Sequence, residues 1–413
     1  MVSIADDDTT TFRGSRVPRP IRWANRVASV LPTASLDPAD LLAEAKATTG
    51  LRDFGTDEFR EPFAVQCRSL DTESGLTPVG RRFARDQIRS SLVHRLQLAD
   101  VVARRPEVRE LPVTRPIIVI GLPRTGSTLL QHLLSQDPAS RMLLQWEASN
   151  PFPPPQASTY LTDPRIASTD RVMRLLDRLA PDARALHPVG AQLPTECVTL
   201  LANSFASLEV PTINWMPSYL DWYATADLGP HYRYLRTQLQ VLQADCPGSR
   251  WVLKSPAHLF ALDAVLDAFP DAVVVQTHRD PLDVIPSFCS LSATLCAISS
   301  EHVDQRALGR RWSPLWAEGL ARAAAVRADR PDATVVDIHY PDLMADPLRE
   351  VERIYDAAGI ELTAWTRDAV VRRARPDEDE ARGSHRYTLE QFGLDADEES
   401  ARFAAVARVA VPS

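Results

Sequence analysis

Residues 116–130 read PIIVIGLPRTGSTLL, and this stretch decides the fold of the chain. The β-branched run 117–120 predicts a buried strand that ends at Gly121. A short turn around Gly126 leads into Ser127-Thr-Leu-Leu, which predicts the first turn of a helix. A strand, a glycine turn and a helix N-terminus together hold an anion with backbone N–H groups and the helix dipole. The stretch therefore predicts a phosphate-type ligand on an α/β fold.

The loop differs from an ATP-binding loop at one position. In the pattern G-x-x-x-x-G-K-[ST] the two glycines would be Gly121 and Gly126, and the hydroxyl residue would be Thr128. Ser127 stands where the lysine that reaches the terminal phosphates of ATP would be, and Arg124 precedes the second glycine. A guanidinium fork suits a phosphate or sulfate oxygen. The loop therefore favours an anion on a nucleotide other than an ATP triphosphate, with Ser127 and Thr128 facing it unless they only cap the helix.

Short apolar strands return later in the chain and alternate with helices. Strands are predicted at 250–254, 272–277 and 333–338, with helices at 259–269 and 315–328. This alternation predicts an α/β fold in which a central, mostly parallel sheet is covered by helices on both faces.

The rest of the chain adds mainly helical segments to this core. The predicted organisation is a helical N-terminal extension over 1–112, an α/β domain over 113–395 with a helical insertion at about 156–245, and a tail helix over 396–413.

Composition argues against several classes of protein. The 413 residues carry a formal net charge of −8, which argues against a nucleic-acid surface. The five cysteines are scattered and form no C-x-x-C pair, so we expect a reduced, cytoplasmic protein without a structural metal. The acidic start lacks a signal pattern and no uninterrupted apolar run approaches about 18 residues, so we expect neither export nor a membrane span.

A second candidate anion site follows the strand at 272–277. Arg279 comes directly after this strand, and Ser287 lies about two turns into the helix that follows. Ligands of open parallel sheets bind beyond the carboxyl ends of the strands, where Arg279 falls. The alternative is an arginine that only pairs with Asp283.

The two motifs resemble those of the sulfotransferases that use 3′-phosphoadenosine 5′-phosphosulfate (PAPS). In that family a basic residue, a Ser or Thr, a glycine and two hydroxyl residues bind the 5′-phosphosulfate, and the segment 124–128 is similar. An Arg-[Asp/Asn]-Pro after a strand, with a serine eight residues after the arginine, binds the 3′-phosphate. Arg279-Asp280-Pro281 and Ser287 are similar to this motif. The resemblance covers about residues 114–395 and implies a P-loop NTPase-like sulfotransferase fold.

Two later elements extend the resemblance. The segment 340–347 resembles a family element in which a tyrosine precedes a short acidic, proline-containing stretch, and 382–387 resembles a glycine-bearing basic loop that closes on the nucleotide. The cofactor-binding residues that the resemblance implies are Arg124, Thr125, Gly126, Ser127, Thr128, Arg279, Ser287, Arg382, Gly383 and Tyr387.

The resemblance implies sulfuryl transfer to a hydroxyl, or less readily to an amine, without a metal. Fixed cationic side chains can neutralise the transferred group, and Arg124 and Lys254 are the candidates. Lys254 ends a predicted strand and is one of two lysines in the chain; the alternative is a lysine whose only role is to end that strand. The acceptor must also lose a proton. Glu147 is narrowly favoured over His258 as the base, because related enzymes place a glutamate after the first loop and helix; the alternatives are an exposed glutamate and a histidine that caps a helix.

The acceptor itself stays open among small molecules, lipids and glycans, as does a homodimer. Glu196 and His187 are further candidates for the acceptor pocket, although helix-surface roles are favoured for both. The aromatic residues of 215–234 are expected to be core rather than an acceptor lid.

Two other functions remain as alternatives. A P-loop kinase would need a lysine at position 127 and a magnesium-holding acid, for which Asp337 is the candidate. A nucleotide-binding protein without catalysis would have Glu147 and His258 directed away from the loop.

Overall fold

The computed structural model describes residues 19–30, 32–179, 190–374 and 387–410. Its centre is a five-stranded sheet in the order β2-β3-β1-β4-β5, and every pair of neighbouring strands is parallel. The strands are β1 (Ile117–Gly121), β2 (Ser140–Met142), β3 (Arg250–Lys254), β4 (Val273–His278) and β5 (Thr334–His339). The fold prediction of a parallel sheet covered by helices is confirmed.

The helices of the described residues are numbered in chain order. Those before the second half of the sheet are α1 (Arg19–Ala28), α2 (Pro38–Thr49), α3 (Arg60–Thr72), α4 (Pro78–Arg104), α5 (Ser127–Leu134), α6 (Gln145–Ser149), α7 (Pro164–Leu179), α8 (Val198–Leu201), α9 (Glu209–Ile213), α10 (Pro217–Thr225) and α11 (Gly229–Ala244). The later helices are α12 (Leu262–Ala268), α13 (Pro281–Ser299), α14 (Gln305–Asp329), α15 (Tyr340–Ala345), α16 (Pro347–Ala358), α17 (Ala364–Arg373) and α18 (Ala396–Ala410).

The sheet separates two hydrophobic cores, because successive side chains of a strand point to opposite faces. The larger core contains Ile118, Ile120, Leu253 and Val274 and joins them to the N-terminal helices and to α10, α11, α13 and α14. The smaller core contains Ile117, Val119, Val252 and Val275 and joins them to α5, α16 and α17. Both faces of the central strands are buried, which explains their continuous runs of Val and Ile.

The helix α13 is the most apolar long helix among the described residues. It has 19 residues, and its most apolar window has a mean hydropathy of 1.5, so by length and composition it could cross a membrane. However, 61% of that window is buried inside the protein. Hydroxyl groups of Ser292 and Ser299 donate to backbone carbonyls of α9, at 2.9 and 3.2 Å. This helix is therefore a core helix, although its composition is more apolar than the sequence expectation allowed.

Parallel strands bring their carboxyl ends to one edge of the sheet. At this edge lie Gly121 of β1, Lys254 of β3, His278 of β4 and His339 of β5. The loop after β1, the segment after β3 and the start of α13 meet there, and they carry the residues singled out from the sequence.

Candidate active site

The loop between β1 and α5 requires glycine at two positions. Gly121 has φ of 135°, and a Cβ there would lie 2.5 Å from the carbonyl oxygen of Thr277 on β4. Gly126 has φ of 85°, and a Cβ there would lie 2.9 Å from the ring of Tyr340. Both the left-handed backbone and the close neighbours exclude larger residues. The loop is thus fixed between β4 and the first turn of α15, with the N–H groups of α5 at its end.

Arg124 adopts a left-handed conformation within this loop. Its φ is 67°, which costs a non-glycine residue about 1–3 kcal/mol and is typical of functional positions. The half-buried side chain donates from Nε to Oγ of Ser287, at 3.2 Å. The first and second predicted anion motifs therefore meet directly, although 163 residues separate these two side chains.

Thr125 points in the opposite direction. Its hydroxyl donates to the carbonyl of Leu122 at 2.7 Å and contacts Oγ1 of Thr277 at 2.6 Å, and the residue is buried. Thr125 thus ties the loop to β4, so that only its backbone N–H is left for an anion. The cofactor-binding role predicted for Thr125 stays a prediction about its backbone.

Arg279 lies beside this loop. One of its Nη atoms donates to the carbonyl of Arg124 at 3.4 Å, and its guanidinium stacks on the ring of Tyr340 at 4.4 Å. The ion pair with the largely exposed Asp283 is long, at 3.7 Å, so this pairing does not account for the position of Arg279. Tyr340 opens the segment 340–347 that resembled a family element, and it contacts both Arg279 and the loop.

The positive charges of Arg124 and Arg279 lie close enough to affect each other. Burial lowers the pKa of the Arg124 guanidinium, the nearby Tyr387 opposes this shift, and the charge of Arg279 lowers the pKa further. Tyr387 therefore lies near Arg124, as the closing loop implied. Arg382 and Gly383 of the same predicted loop lie outside the described residues, as does His187.

Lys254 ends β3 with its side chain directed to the start of α5. It is 2% exposed, and its Nζ donates to Oγ1 of Thr128 at 3.3 Å and to Oε1 of Glu196 at 2.6 Å. The backbone N–H of Cys197 bonds to the carbonyl of Lys254 at 3.0 Å, which fixes Glu196 beside it. Since the N-cap of α5 is Gly126 and has no side-chain bond, neither Ser127 nor Thr128 acts as the cap.

Glu147 of α6 is fully buried and forms an ion pair with Arg141 of β2. Both of its carboxylate oxygens accept hydrogen bonds from the guanidinium of Arg141, one of them at 3.0 Å, and Tyr160 also donates at 3.2 Å. Arg141 in turn stacks on the rings of Trp251 and Tyr160, at 4.5 and 4.8 Å.

Trp251 belongs to the larger core and Val252 to the smaller one, so by strand alternation Lys254 leaves β3 on the opposite face from Trp251. Glu147 contacts Arg141 on the face of Trp251, whereas Glu196 is the carboxylate that contacts Lys254.

His258 lies in the first turns after β3 and is buried. Its Nδ1 lies 2.7 Å from the hydroxyl of Tyr232, and burial lowers the pKa of its imidazole to about 3. At pH 7 this histidine is neutral and a weak proton acceptor. Tyr219, Tyr223 and Tyr232 are almost completely buried, so these residues of the 215–234 patch belong to the core.

Glu209 is a candidate residue of this site that the sequence did not suggest. Its backbone N–H bonds to Oγ of Ser207 at 3.1 Å, and that hydroxyl donates to the carbonyl of Val198 at 2.7 Å, two residues after Glu196. Its Oε2 is buried without a hydrogen-bond partner among the described residues. Burial raises the pKa of Glu209 to about 7; a hydrogen bond with Thr199 opposes the shift and the charge of Glu196 adds to it.

The same architecture occurs in solved structures. Sulfotransferase STF1 from Mycobacterium tuberculosis is 35% identical, with a TM-score of 0.79 over 90% of this chain and 99% of that one. Sulfotransferase STF9 from Mycobacterium avium is 31% identical, with a TM-score of 0.81 over 91% and 96% of the two chains. The family model described as "Sulfotransferase family" matches residues 116–364. The chain belongs to the sulfotransferase family.

A further relative of this sulfotransferase-family chain is the omega-hydroxy-beta-dihydromenaquinone-9 sulfotransferase Stf3 of Mycobacterium tuberculosis. It is 25% identical over 259 residues, which are 59% of this chain and 63% of the relative. The chain thus matches less than two thirds of the length of Stf3. The family resemblance inferred from 124–128 and 279–287 is confirmed by the match, which contains both motifs.

The site of this sulfotransferase-family chain also argues against the kinase alternative. Asp337, the candidate magnesium ligand, accepts two hydrogen bonds from Arg327, at 2.8 and 2.7 Å, and lies 2.6 Å from Nε2 of His278. Burial opposes ionisation of Asp337, but the hydrogen bonds with His278 and Arg327 hold its pKa well below the usual range. Within the described residues, no group of three or more His, Cys, Asp or Glu side chains could hold a metal ion.

Proposed function

We propose that this protein transfers the sulfuryl group of PAPS to a hydroxyl group of an apolar small molecule or lipid. The observation that carries the proposal is the contact of buried Lys254 with both Thr128, in the first turn of the anion loop, and Glu196. One cation thus joins the start of α5 to a carboxylate at the same edge of the sheet. That combination suits a transfer in which a negative group moves and a proton leaves the acceptor.

The residues around the loop fit the two anionic ends of PAPS. Backbone N–H groups at the start of α5, Arg124 and Lys254 would bind the 5′-phosphosulfate, because each presents a donor at the end of β1 or β3. Arg279 and Ser287 would bind the 3′-phosphate. The contact between Arg124 and Ser287, at 3.2 Å, holds the two groups of donors together.

The transfer needs no reactant besides PAPS, the acceptor and side chains of the protein. The acceptor oxygen forms its bond to sulfur while the bond from sulfur to the 5′-phosphate oxygen breaks, and the electron pair of that bond stays on the bisphosphate product. Lys254 and Arg124 would neutralise the equatorial oxygens and the leaving oxygen. The hydroxyl proton passes to a carboxylate of the protein.

We place this proton acceptor at the pair of Glu196 and Glu209. Lys254 pairs with Glu196 at 2.6 Å, whereas burial raises the pKa of Glu209 to about 7. Two carboxyl groups whose environments differ in this way suit proton transfer near neutral pH. Glu147 remains a predicted base, and its fully buried ion pair with Arg141 also gives it a structural role.

The acceptor is proposed by analogy with a relative. The name of Stf3 states that it sulfates an omega-hydroxy menaquinone derivative, which is an apolar molecule with a terminal hydroxyl group. Leu193, three residues before Glu196, is an apolar side chain that is 36% exposed. A hydroxylated isoprenoid is therefore the first acceptor class to test.

Ligand-induced changes in melting temperature test the donor assignment. PAPS and adenosine 3′,5′-bisphosphate should both raise the melting temperature at concentrations well above their dissociation constants, and ATP with magnesium should not. The matched variants are Arg279→Gln and Arg349→Gln, since Arg349 is an exposed arginine outside the site. Loss of the bisphosphate effect in Arg279→Gln alone supports the assignment. A larger effect with ATP, or an equal effect of the bisphosphate on both variants, would contradict it.

A further inference from the structure

The helix α1 presents an apolar stripe to solvent. Trp23, Val27 and Val30 are 69%, 49% and 81% exposed, and their spacing of four and three residues sets them on one side of the helix and of the turn after it. Soluble proteins usually bury such a stripe against another element. Here the stripe faces outward.

The opposite side of α1 is held against α4. Ala28 is buried, and the side chain of Asn25 accepts a hydrogen bond from the backbone N–H of Val79 at 3.0 Å. The connection to α2 is also held, since Arg82 and Arg81 donate to the carbonyls of Pro32 and Ala34, at 2.9 and 2.6 Å. These contacts fix which side of α1 faces outward.

The helix α4, against which α1 packs, also carries an exposed apolar side chain. Phe83 is one helical turn after Val79 on α4, and it is 40% exposed. We call the three exposed apolar residues Trp23, Val27 and Val30 the α1 face. The neighbouring Arg26 is exposed and adds a positive charge at its border.

The charge of this part of the chain is opposite to that of the whole. Residues 9–36 contain five arginines, at positions 13, 16, 19, 22 and 26, and no acidic residue. With the three aspartates at positions 6–8, the first 36 residues have a formal charge of +2, whereas the protein has a net charge of −8. Such a concentration of arginine attracts an anionic partner. Solubility alone gives no reason for it.

Three kinds of partner can be compared by chemistry. A nucleic acid would use the arginines but not the stripe of Trp23, Val27 and Val30. A second copy related by twofold symmetry would bring the same arginine-rich segments together, which like charges oppose. An anionic lipid surface uses both features, because tryptophan and aliphatic side chains enter the headgroup boundary while arginines contact lipid phosphates.

We propose that the α1 face docks this protein reversibly on an anionic lipid surface. Docking would hold the chain at the surface where an apolar, membrane-dissolved acceptor is concentrated. This last consequence rests on the proposed function, whereas docking itself does not need sulfuryl transfer.

Vesicle co-sedimentation of the full chain tests the proposal. The vesicles are pure phosphatidylcholine, or phosphatidylcholine with one third phosphatidylglycerol, at low and high salt. The wild-type protein should bind the anionic vesicles in preference to the neutral ones, and more weakly at high salt because the charges are screened. The double variant Trp23→Ser/Val27→Ser should bind them at least about tenfold more weakly.

The control removes a similarly exposed tryptophan and valine elsewhere on the surface. Trp365 and Val371, on α17, are 59% and 41% exposed, so Trp365→Ser/Val371→Ser should bind vesicles as the wild type does. Melting temperatures of both double variants show whether they fold, and their response to the bisphosphate shows whether the donor site is intact. A failure of the proposed function would remove that response from the wild type and leave vesicle binding unchanged.

Three results would overturn the docking proposal. They are wild-type protein that fails to bind anionic vesicles, a Trp23→Ser/Val27→Ser variant that binds as tightly as the wild type, and a wild-type dimer that this variant converts to a monomer in solution. The last result would assign the α1 face to an interface between copies.

Discussion

Lys254 and Glu196 form an ion pair of 2.6 Å at the carboxyl edge of the sheet, and the same ammonium reaches Thr128. The lysine side chain is 2% exposed and the glutamate side chain 22%. A buried charge is costly unless it is paired, so this contact keeps a cation beside the anion loop before any ligand binds.

Replacing Lys254 should strongly reduce turnover while the protein still folds. We expect Lys254→Met to lower kcat/KM by about 10²–10³-fold, because it removes a cation from the transferring group. Lys46, the other lysine, lies 5.6 Å from the ring of Phe54, and Lys46→Met is the matched control. Steady-state kinetics with the best acceptor found would show the difference. Equal activity of the two variants would exclude the role of Lys254.

The carboxylates can be separated by comparing three amide variants at saturating donor. Glu196→Gln and Glu209→Gln should each lower kcat by about 10²-fold or more, since a positioned base contributes about 10²–10⁴-fold. Glu147→Gln should lower the melting temperature and leave kcat of the folded fraction close to that of the wild type. His258→Ala belongs in the same set, because burial lowers the pKa of its imidazole to about 3 and this variant tests whether so weak a base takes the proton. If only Glu147→Gln lost turnover, the base would be Glu147.

The buried pair of Arg141 and Glu147 should couple strongly in a double-mutant cycle. Removing one partner leaves an uncompensated buried charge, which costs about 3–5 kcal/mol. We expect Glu147→Leu and Arg141→Met each to destabilise the protein by about this amount, and the double variant to be destabilised by less than their sum. Chemical denaturation measures all three. Additive effects would mean that the two side chains do not depend on each other.

Glu209 should make the stability of the protein depend on pH. Its pKa is about 7 in the folded protein and 4.5 in a model compound. Between these values the folded state holds a proton that the unfolded chain releases, so stability falls as pH rises through this window. Glu209→Gln removes this loss, and its melting temperature should gain on the wild type by the order of 2 °C between pH 5 and pH 8. Glu361→Gln, on an exposed glutamate, is the matched control.

Alanine variants of Gly126 and Gly75 distinguish the effect of backbone strain from that of a steric contact with Tyr340. Both have positive φ, 85° and 56°, but a Cβ would meet the Tyr340 ring only at Gly126 and meets nothing within 4 Å at Gly75. Each alanine variant should lose about 1–3 kcal/mol of stability from strain. Only Gly126→Ala should also weaken bisphosphate binding, which titration calorimetry would measure. Equal binding by the two variants would show that Tyr340 yields to the added methyl group.

Sequence patterns predicted the strands and the donor motifs well, for a physical reason. Continuous Val and Ile runs are required where a strand is buried on both faces, so β1, β3, β4 and β5 were found with their order along the chain. The strand β2 was missed because Ser140-Arg-Met is short and polar, and it lies at the edge of the sheet. The glycines of the loop were readable because their backbone conformation excludes other residues.

The side chains that surround the acceptor were less predictable. Glu147 follows the loop at a suitable sequence distance, but its partner Arg141 comes from β2, which the sequence did not reveal. Glu196 reaches the site through its ion pair with Lys254, and Glu209 is held by Ser207, whose hydroxyl donates to the carbonyl of Val198. The sequence pointed to this region through a lysine in a chain nearly devoid of them and named Glu196 as a candidate for the acceptor pocket, but it favoured a helix-surface role for Glu196. Contacts between distant elements leave no local periodicity to read.

The shared hydroxyl of Ser287 changes how one substitution would be interpreted. Its oxygen already accepts a hydrogen bond from Nε of Arg124, at 3.2 Å, and its proton can be donated to a phosphate at the same time. Ser287→Ala would therefore release an arginine of the first loop as well as remove a donor from the second motif. Adenosine 5′-phosphosulfate, which has no 3′-phosphate, should still bind this variant more weakly than the wild type, so the serine acts as a mechanical link between the two ends of one nucleotide.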